Sequence, residues 1–116
     1  MSQLNQVAQP SDPPGRRDTD LDWFRRELEE QRRFRLDQLR DLSYEAVAAA
    51  GAQREVTEAL MTGARTVLAE IDAALFRLAI GSFGRCQRCG HEISAERLEI
   101  VPMAGLCLPC HYSTGS

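Results

Sequence analysis

Four cysteines near the C-terminal end constrain this chain more than any other feature. They form two C-x-x-C pairs, Cys86 with Cys89 and Cys107 with Cys110, separated by residues 90–106. This spacing is typical of a four-cysteine zinc site, in which each pair points two thiolates at one ion. We therefore expect one zinc ion per chain. Because four thiolates leave no open position on the metal for a substrate, the zinc should be structural.

Other uses of the cysteines stay open at this point. The stretch CLPC over 107–110 resembles a C-x-P-C redox motif, and CLPCH, which ends at His111, matches a haem attachment pattern. His91 or His111 could also replace a cysteine as a zinc ligand. No strand pattern precedes the second pair, and neither rival explains the first pair, so four-cysteine zinc is favoured. The arginines nearest in sequence, which we expect to offset the thiolate charge, are Arg85, Arg88 and Arg97.

Two long runs with helical periodicity precede the cysteines and predict an all-α fold. The apolar stripe of the first run is Leu21, Phe24, Leu28, Leu36, Leu39, Leu42 and Ala46. The stripe of the second run is Val56, Leu60, Ala64, Val67, Ile71, Ala74 and Leu78. The second stripe is close to an 11-residue period, which implies little left-handed supercoiling. With Gly51 as the strong breaker between the runs, we expect a long antiparallel hairpin, a coiled coil, closed at its base by a small zinc-finger module.

Composition divides the chain into three segments. Residues 1–17 combine three prolines with few apolar side chains, so we expect a disordered tail. Residues 18–81 should form the hairpin, with its tip near 50–55 and Gly81 as the C-cap of the second helix. Residues 82–116 should form the zinc-finger module and a short tail.

Charge and hydropathy exclude several functional classes. A net charge of -3 argues against sequence-independent binding to nucleic acid, which requires an excess of basic residues. No apolar run approaches the ~20 residues of a membrane span, and no signal peptide is visible, so we expect a cytoplasmic protein. The chain has no Gly-rich phosphate loop and no Ser-His-Asp set, so we do not expect an enzyme. A protein partner and a monomeric state are the remaining expectations.

The stretch over 75–110 resembles the DksA/TraR family of zinc-finger regulators of bacterial RNA polymerase. It reads LFRLAIGSFGRCQRCGHEISAERLEIVPMAGLCLPC, similar to the family's run of L-x-R-[IL], Gly, aromatic-Gly, C-x-x-C-G, Ile, Arg-Leu, Pro and C-x-x-C. The resemblance implies that the four cysteines bind zinc and that the hairpin enters the secondary channel of the polymerase. Such proteins alter open-complex stability, often together with ppGpp, and contact no DNA sequence themselves.

Two features depart from that family pattern. Members that act directly on initiation carry D-x-x-D-x-A at the tip, whereas this tip reads AVAAAGAQREVTEAL. Its nearest counterparts are Glu55 and Glu58, two carboxylates at i, i+3 spacing that are our candidates for contact with the polymerase. Their alternative role is a solvated face at a helix start. The end, HYSTGS, is shorter than the C-terminal helix that members use for docking and effector binding, so we do not assign ppGpp binding.

Two aromatic residues lie off the apolar stripes. Trp23 and Phe34 stand on a polar face and, with Arg97 of the family's Arg-Leu pair, are candidates for a partner surface. Covering the zinc module is the structural alternative for Trp23. A competing hypothesis for the whole chain is a zinc-clamped adaptor that presents Trp23 and Phe34 to another protein or to a second copy. Within the hairpin, we expect Arg32 and Arg35 either to extend their charged ends into water or to pair with Glu70 or Asp72.

Overall fold

The structure, a computed structural model, describes residues 18–114 and the side chains of residues 21–113. Four helices account for most of this part of the chain: α1 (Asp18–Ala48), α2 (Gly51–Ile80), α3 (Ala95–Ile100) and α4 (Leu108–Thr114). The only β-type pairing within it is an isolated bridge between Arg85 and Glu92. The predicted all-α class is therefore confirmed. The tail predicted over 1–17 lies outside the described residues.

Helices α1 and α2 pack against each other as an antiparallel hairpin and reverse direction at residues 49–50. Ala50 is extended, and Gly51 then adopts a positive φ of 60°, a conformation that favours glycine. The last carbonyl groups of α1 need partners, because a helix end leaves them without intrahelical donors. One partner is the Arg54 guanidinium, which donates to the carbonyl of Ala46 at 3.1 Å. A single side chain of α2 thus ties down the end of α1.

The seam between the two helices follows a seven-residue repeat. On α2 the buried positions include Thr57, Ala64, Ile71 and Leu78, each seven residues after the last, as in a left-handed coiled coil. The predicted 11-residue period is therefore wrong. Val56 and Leu60, predicted on the seam, are 55% and 52% exposed, and Leu36 of α1 is 40% exposed. Thr57 occupies the heptad position seven residues before Ala64 and is therefore buried at the tip. The larger apolar side chains of Val56 and Leu60 lie off this line of contact.

The middle of the seam is polar. Arg35 is half-buried there and donates to the Gln38 side chain at 3.0 Å. Arg32 donates to the Asp72 carboxylate across the hairpin at 2.7 Å, which confirms one of the predicted pairings. Both partners of that ion pair are about half exposed, so its contribution to stability is small. Apolar burial in the hairpin is concentrated elsewhere.

That burial lies at the base, where the hairpin meets the C-terminal residues. One cluster joins all three parts: Phe24 and Leu28 of α1, Ile71, Ala74 and Leu78 of α2, and Phe83, Cys86, Ile93, Leu98 and Ala104 beyond the hairpin. The rings of Phe24 and Phe83 lie 5.0 Å apart between centroids. The cysteine-containing segment thus closes the base of the hairpin, as predicted. Since one core crosses residue 81, the division into a hairpin and a module at that point stays a prediction. No helix in the described range combines the length and the apolar content that a membrane span requires.

Candidate metal centre

The first cysteine pair follows directly from the end of α2. Gly81 caps that helix, as predicted, with φ of 85° and its N–H bonded to the carbonyl of Arg77. Beyond it, the N–H of Cys86 donates to the carbonyl of His91 at 2.7 Å, and the N–H of Gly90 donates back to the carbonyl of Cys86 at 2.9 Å. Gly90 has φ of 80°, a conformation that favours glycine, and it completes a tight turn after the first pair. This turn holds Cys86 and Cys89 on one side of the loop.

The second cysteine pair is held in place by the first turn and by α3. Ser94 caps α3 by accepting from the N–H of Arg97, and Leu98 anchors the helix in the core. The Arg97 Nε then donates to the carbonyl of Leu106 at 3.0 Å, immediately before Cys107. The N–H of Gln87, within the first turn, donates to the carbonyl of Gly105 at 2.8 Å. The two pairs are therefore fixed relative to each other by the backbone.

The four sulfur atoms converge at one point. Their Sγ atoms all lie within 4.8 Å of one another, and those of Cys89 and Cys107 are 3.7 Å apart. All four cysteines are free thiols. A tetrahedral zinc ion with Zn–S bonds of ~2.3 Å places its sulfurs about 3.8 Å apart. The donor set is therefore compatible with a single tetrahedral ion.

The pKa values of the cysteine thiols also favour binding of a cation among them. Burial disfavours the Cys86 thiolate, but backbone N–H groups, among them that of Cys89, outweigh burial and lower the pKa of Cys86 to about 5. The hydrogen bond with the Cys107 thiol, followed by burial, raises the pKa of Cys110 to about 12. The N–H of His91 stabilises the Cys89 thiolate, yet burial and the neighbouring thiols prevail and raise the pKa of Cys89. Four thiolates can share this space only when a metal ion balances their charge.

This convergence bears on the rival interpretations of the cysteines. A redox pair or a haem attachment site uses two cysteines and leaves the other two without a role, whereas here all four meet. The group of potential ligands found in the described residues contains no histidine; His91 and His111 are both exposed. Cys107 does stand next to the start of α4, as in redox motifs, but no strand precedes it in the described range.

The other predicted functional residues lie apart from this centre. Glu55 and Glu58 are exposed on the first turns of α2, at the tip, and Glu58 accepts from the Arg54 Nε at 3.1 Å. Trp23 is 42% exposed and packs edge-on against Phe24, whose ring lies against Phe83 of the module. Because α2 rises ~1.5 Å per residue, the tip carboxylates and the cysteines are about 40 Å apart along the hairpin.

The remaining partner-surface candidates have different environments. Phe34 is 62% exposed, and the Arg35 guanidinium lies 5.5 Å from its ring centroid. Arg97 is half-buried and holds the Leu106 carbonyl, so it braces the module. The three candidates for the partner surface therefore do not share one environment.

Sequence reasoning missed Arg77 of α2. Its side chain is only 5% exposed, and its Nη2 donates to the carbonyls of Met103 and Ala104 at 3.3 and 3.4 Å. We had expected arginines closer to the cysteines in sequence to serve the centre. The signal was nevertheless present, because the pattern L-x-R-[IL] that carries the family resemblance includes Arg77.

Comparisons with known proteins agree with this architecture. Residues 81–111 match the family model described as the prokaryotic dksA/traR C4-type zinc finger. The RNA polymerase-binding transcription factor DksA of Haemophilus influenzae is 44% identical over 46 residues, which are 40% of this chain and 32% of that protein. Its namesake in Escherichia coli (strain K12) is 39% identical over 46 residues, 40% of this chain and 30% of that protein. The aligned region thus spans about a third of the length of these curated relatives.

The structural likeness extends further than the sequence likeness. The structure of the transcription factor DksA2 from Pseudomonas aeruginosa superposes with a TM-score of 0.74 and 28% sequence identity, covering 84% of each chain. The shared part therefore includes the hairpin as well as the cysteine module. The relatives are named as binding factors, in agreement with the expectation that this chain is not an enzyme. Residues 81–111 thus carry the C4-type zinc finger of the dksA/traR family, and the fold of the chain is similar to that of DksA2.

Proposed function

We propose that this protein is a transcription regulator that binds RNA polymerase and holds one structural zinc ion through Cys86, Cys89, Cys107 and Cys110. The observation that carries the proposal is the convergence of four sulfurs at the base of a long hairpin in a DksA-like fold. The names of the relatives supply the partner. Action on the polymerase in this way implies a cytoplasmic protein that makes no sequence-specific contact with DNA.

The zinc ion would act as a cross-link and a counter-charge. Cys86 and Cys89 follow α2, whereas Cys107 and Cys110 flank the start of α4, so one ion would join the hairpin to the end of the module. With four protein ligands it has no position for a substrate. Metal analysis by mass spectrometry, with a thiol titration, tests this on protein purified without added metal or chelator. We expect about one zinc per chain and four protected thiols; metal-free protein with oxidised cysteine pairs would contradict it.

The hairpin would be the part that enters the secondary channel. Each of its helices has about thirty residues and is therefore about 45 Å long, with the tip far from the bulk of the core. At the tip, Glu58 is held by Arg54, whereas the exposed Glu55 makes no hydrogen bond or ion pair with another described residue. We therefore place Glu55 first, and Glu58 second, among the side chains that would act on the polymerase.

Binding and regulation can be separated by substitution at the tip. The double variant Glu55→Ala, Glu58→Ala should still bind core polymerase but lose its effect on transcription in vitro. The double variant Glu29→Ala, Glu30→Ala removes the same charge from exposed positions of α1 and should behave as wild type. If the tip variant regulated transcription as well as wild type, these carboxylates would have no role in regulation. If the wild-type protein neither bound core polymerase nor altered transcription, the proposal itself would be wrong.

A zinc-clamped adaptor remains the second candidate, and the exposure of Trp23 and Phe34 is the observation that favours it. Under this alternative, the double variant Trp23→Ala, Phe34→Ala loses its partner while the tip variant keeps it. Analytical ultracentrifugation adds a second criterion. A monomer at all concentrations agrees with polymerase binding, whereas a concentration-dependent dimer supports the adaptor.

A further inference from the structure

Arg77 places a positive charge inside the joint between the hairpin and the module. Its side chain is 5% exposed, and its hydrogen bonds go to two neutral acceptors, the carbonyls of Met103 and Ala104. The backbone at Gly105 lies close against the guanidinium group: a Cβ at that position would be 3.5 Å from the Arg77 Nη2. The joint is therefore built closely around this one arginine.

No carboxylate of the described residues lies within ion-pair distance of that charge. None of the ion pairs in this part of the chain includes Arg77, and its buried Nε has no hydrogen-bond partner there. Burial lowers the pKa of Arg77, but a guanidinium group stays charged at neutral pH. A buried charge without a counter-charge is costly, so a compensating group is expected nearby.

Glu70 shares another cavity with Arg77 but is exposed to water, so the cysteine centre is the buried neighbour that can become negative. Arg77 and Cys86 line the same cavity of ≈ 380 Å³, and Cys86 is only 2% exposed. A zinc ion with four thiolates carries a double negative charge, which a nearby cation stabilises. Arg85 and Arg97 also lie near the centre, but Arg85 is exposed and Arg97 is partly exposed, so water screens their charges more.

We infer that Arg77 is the buried counter-cation of the zinc–thiolate centre and that its charge strengthens zinc binding without direct contact with the ion. This inference rests on the zinc site of the proposed function. It does not depend on the polymerase. The inference also explains why a buried arginine with neutral partners lies at this point of α2. Because Arg77 contacts the module and lies near the cysteines, zinc binding and the docking of the module on the hairpin stabilise each other.

The test is a zinc affinity measurement by competition with a chromophoric chelator, combined with thermal unfolding of the zinc-free and zinc-loaded protein. Arg77→Met keeps much of the side-chain volume and removes the charge, whereas Arg77→Lys keeps a charge. Arg65→Met, at an exposed position of the same helix, is the matched control. We expect Arg77→Met to bind zinc about 10–100-fold more weakly, as for other groups that support metal ligands. Its gain in Tm on zinc binding should shrink as well. The zinc affinity of Arg77→Lys should lie closer to that of wild type, and the zinc affinity of Arg65→Met should equal that of wild type.

The outcomes separate this inference from the proposed zinc site. Unchanged zinc affinity in Arg77→Met, with Tm lowered equally in both forms, would show a purely structural brace and overturn the inference alone. If Arg77→Met fails to fold, Arg77→Gln against Arg77→Lys makes the same comparison, and equal zinc affinities of the two would overturn it. If wild-type protein binds no zinc, the proposed site and this inference are both wrong.

Discussion

Truncating Ile71 tests where the stability of the hairpin resides. Ile71 is fully buried in the base cluster, whereas Leu60, on the same predicted stripe of α2, is 52% exposed. Both substitutions to Ala remove three carbon atoms from one helix. For Ile71→Ala the lost burial and the cavity cost about 3–4 kcal/mol, and the better helix propensity of Ala returns about 0.5 kcal/mol. The net loss is about 3 kcal/mol. For Leu60→Ala only about half of the burial of a leucine is lost, with no cavity, which gives about 1 kcal/mol or less.

Thermal unfolding followed by circular dichroism at 222 nm, on the zinc-loaded protein, measures this difference. For a chain of this size, Ile71→Ala should lower Tm by about 10–20 °C and Leu60→Ala by about 5 °C or less. Urea unfolding of the same variants gives the free energies directly, and an unchanged m-value shows that the denatured state is the same. Equal losses for the two variants would refute the heptad seam and restore the stripe predicted from sequence. A larger loss of stability for Leu60→Ala than for Ile71→Ala would contradict the heptad seam more strongly.

Two further predictions concern backbone conformation and protons. Gly81→Ala should lower the free energy of unfolding by about 1 kcal/mol because Gly81 has positive φ. Gly63→Ala should raise the free energy of unfolding by a similar amount, because Gly63 lies inside α2 and an added Cβ there meets no other atom. Urea unfolding measures both changes. Zinc affinity should rise with pH through the neutral range, because the raised pKa values of Cys89 and Cys110 keep these thiols protonated until the metal displaces the protons. Calorimetry in buffers of different ionisation enthalpy should show release of at least these protons at pH 7, and an affinity independent of pH would contradict the shifts.

The sequence predicted the elements well because their signals are local. Helical periodicity, a breaker at Gly51 and a C-cap at Gly81 each depend on neighbouring residues, and the structure has a helix boundary at both. The seam was less predictable. Thr57 is buried while its neighbour Val56 is exposed, because the helix that packs opposite decides which face is covered. Side-chain hydrophobicity alone identified Ala64, Ile71, Ala74 and Leu78 but did not define the seam at the tip.

The candidate site shows the same division between local and distant signals. The spacing of the cysteines was sufficient to predict that they meet, since a four-cysteine zinc module is encoded within one short segment. Arg77 was missed because sequence proximity was used as a guide to electrostatic proximity. Arg85 and Arg88 are closer in sequence to the cysteines but are exposed, whereas Arg77, on the preceding helix, is enclosed by the loop that leads to Cys107.

The distribution of the core explains why the cysteine centre and the hairpin belong together. Away from the base, the buried seam consists of Leu42, Thr57 and Ala64, with polar side chains such as Arg35 between them. Such a seam buries little apolar surface, and an isolated helical hairpin of this kind is marginally stable. At the base, ten residues from both helices and the module form one cluster that includes the metal ligand candidate Cys86. A metal ion bound there would add its binding free energy to the stability of that cluster. The tip therefore contributes less to the stability of the fold than the base does, and its exposed residues can be set by a partner.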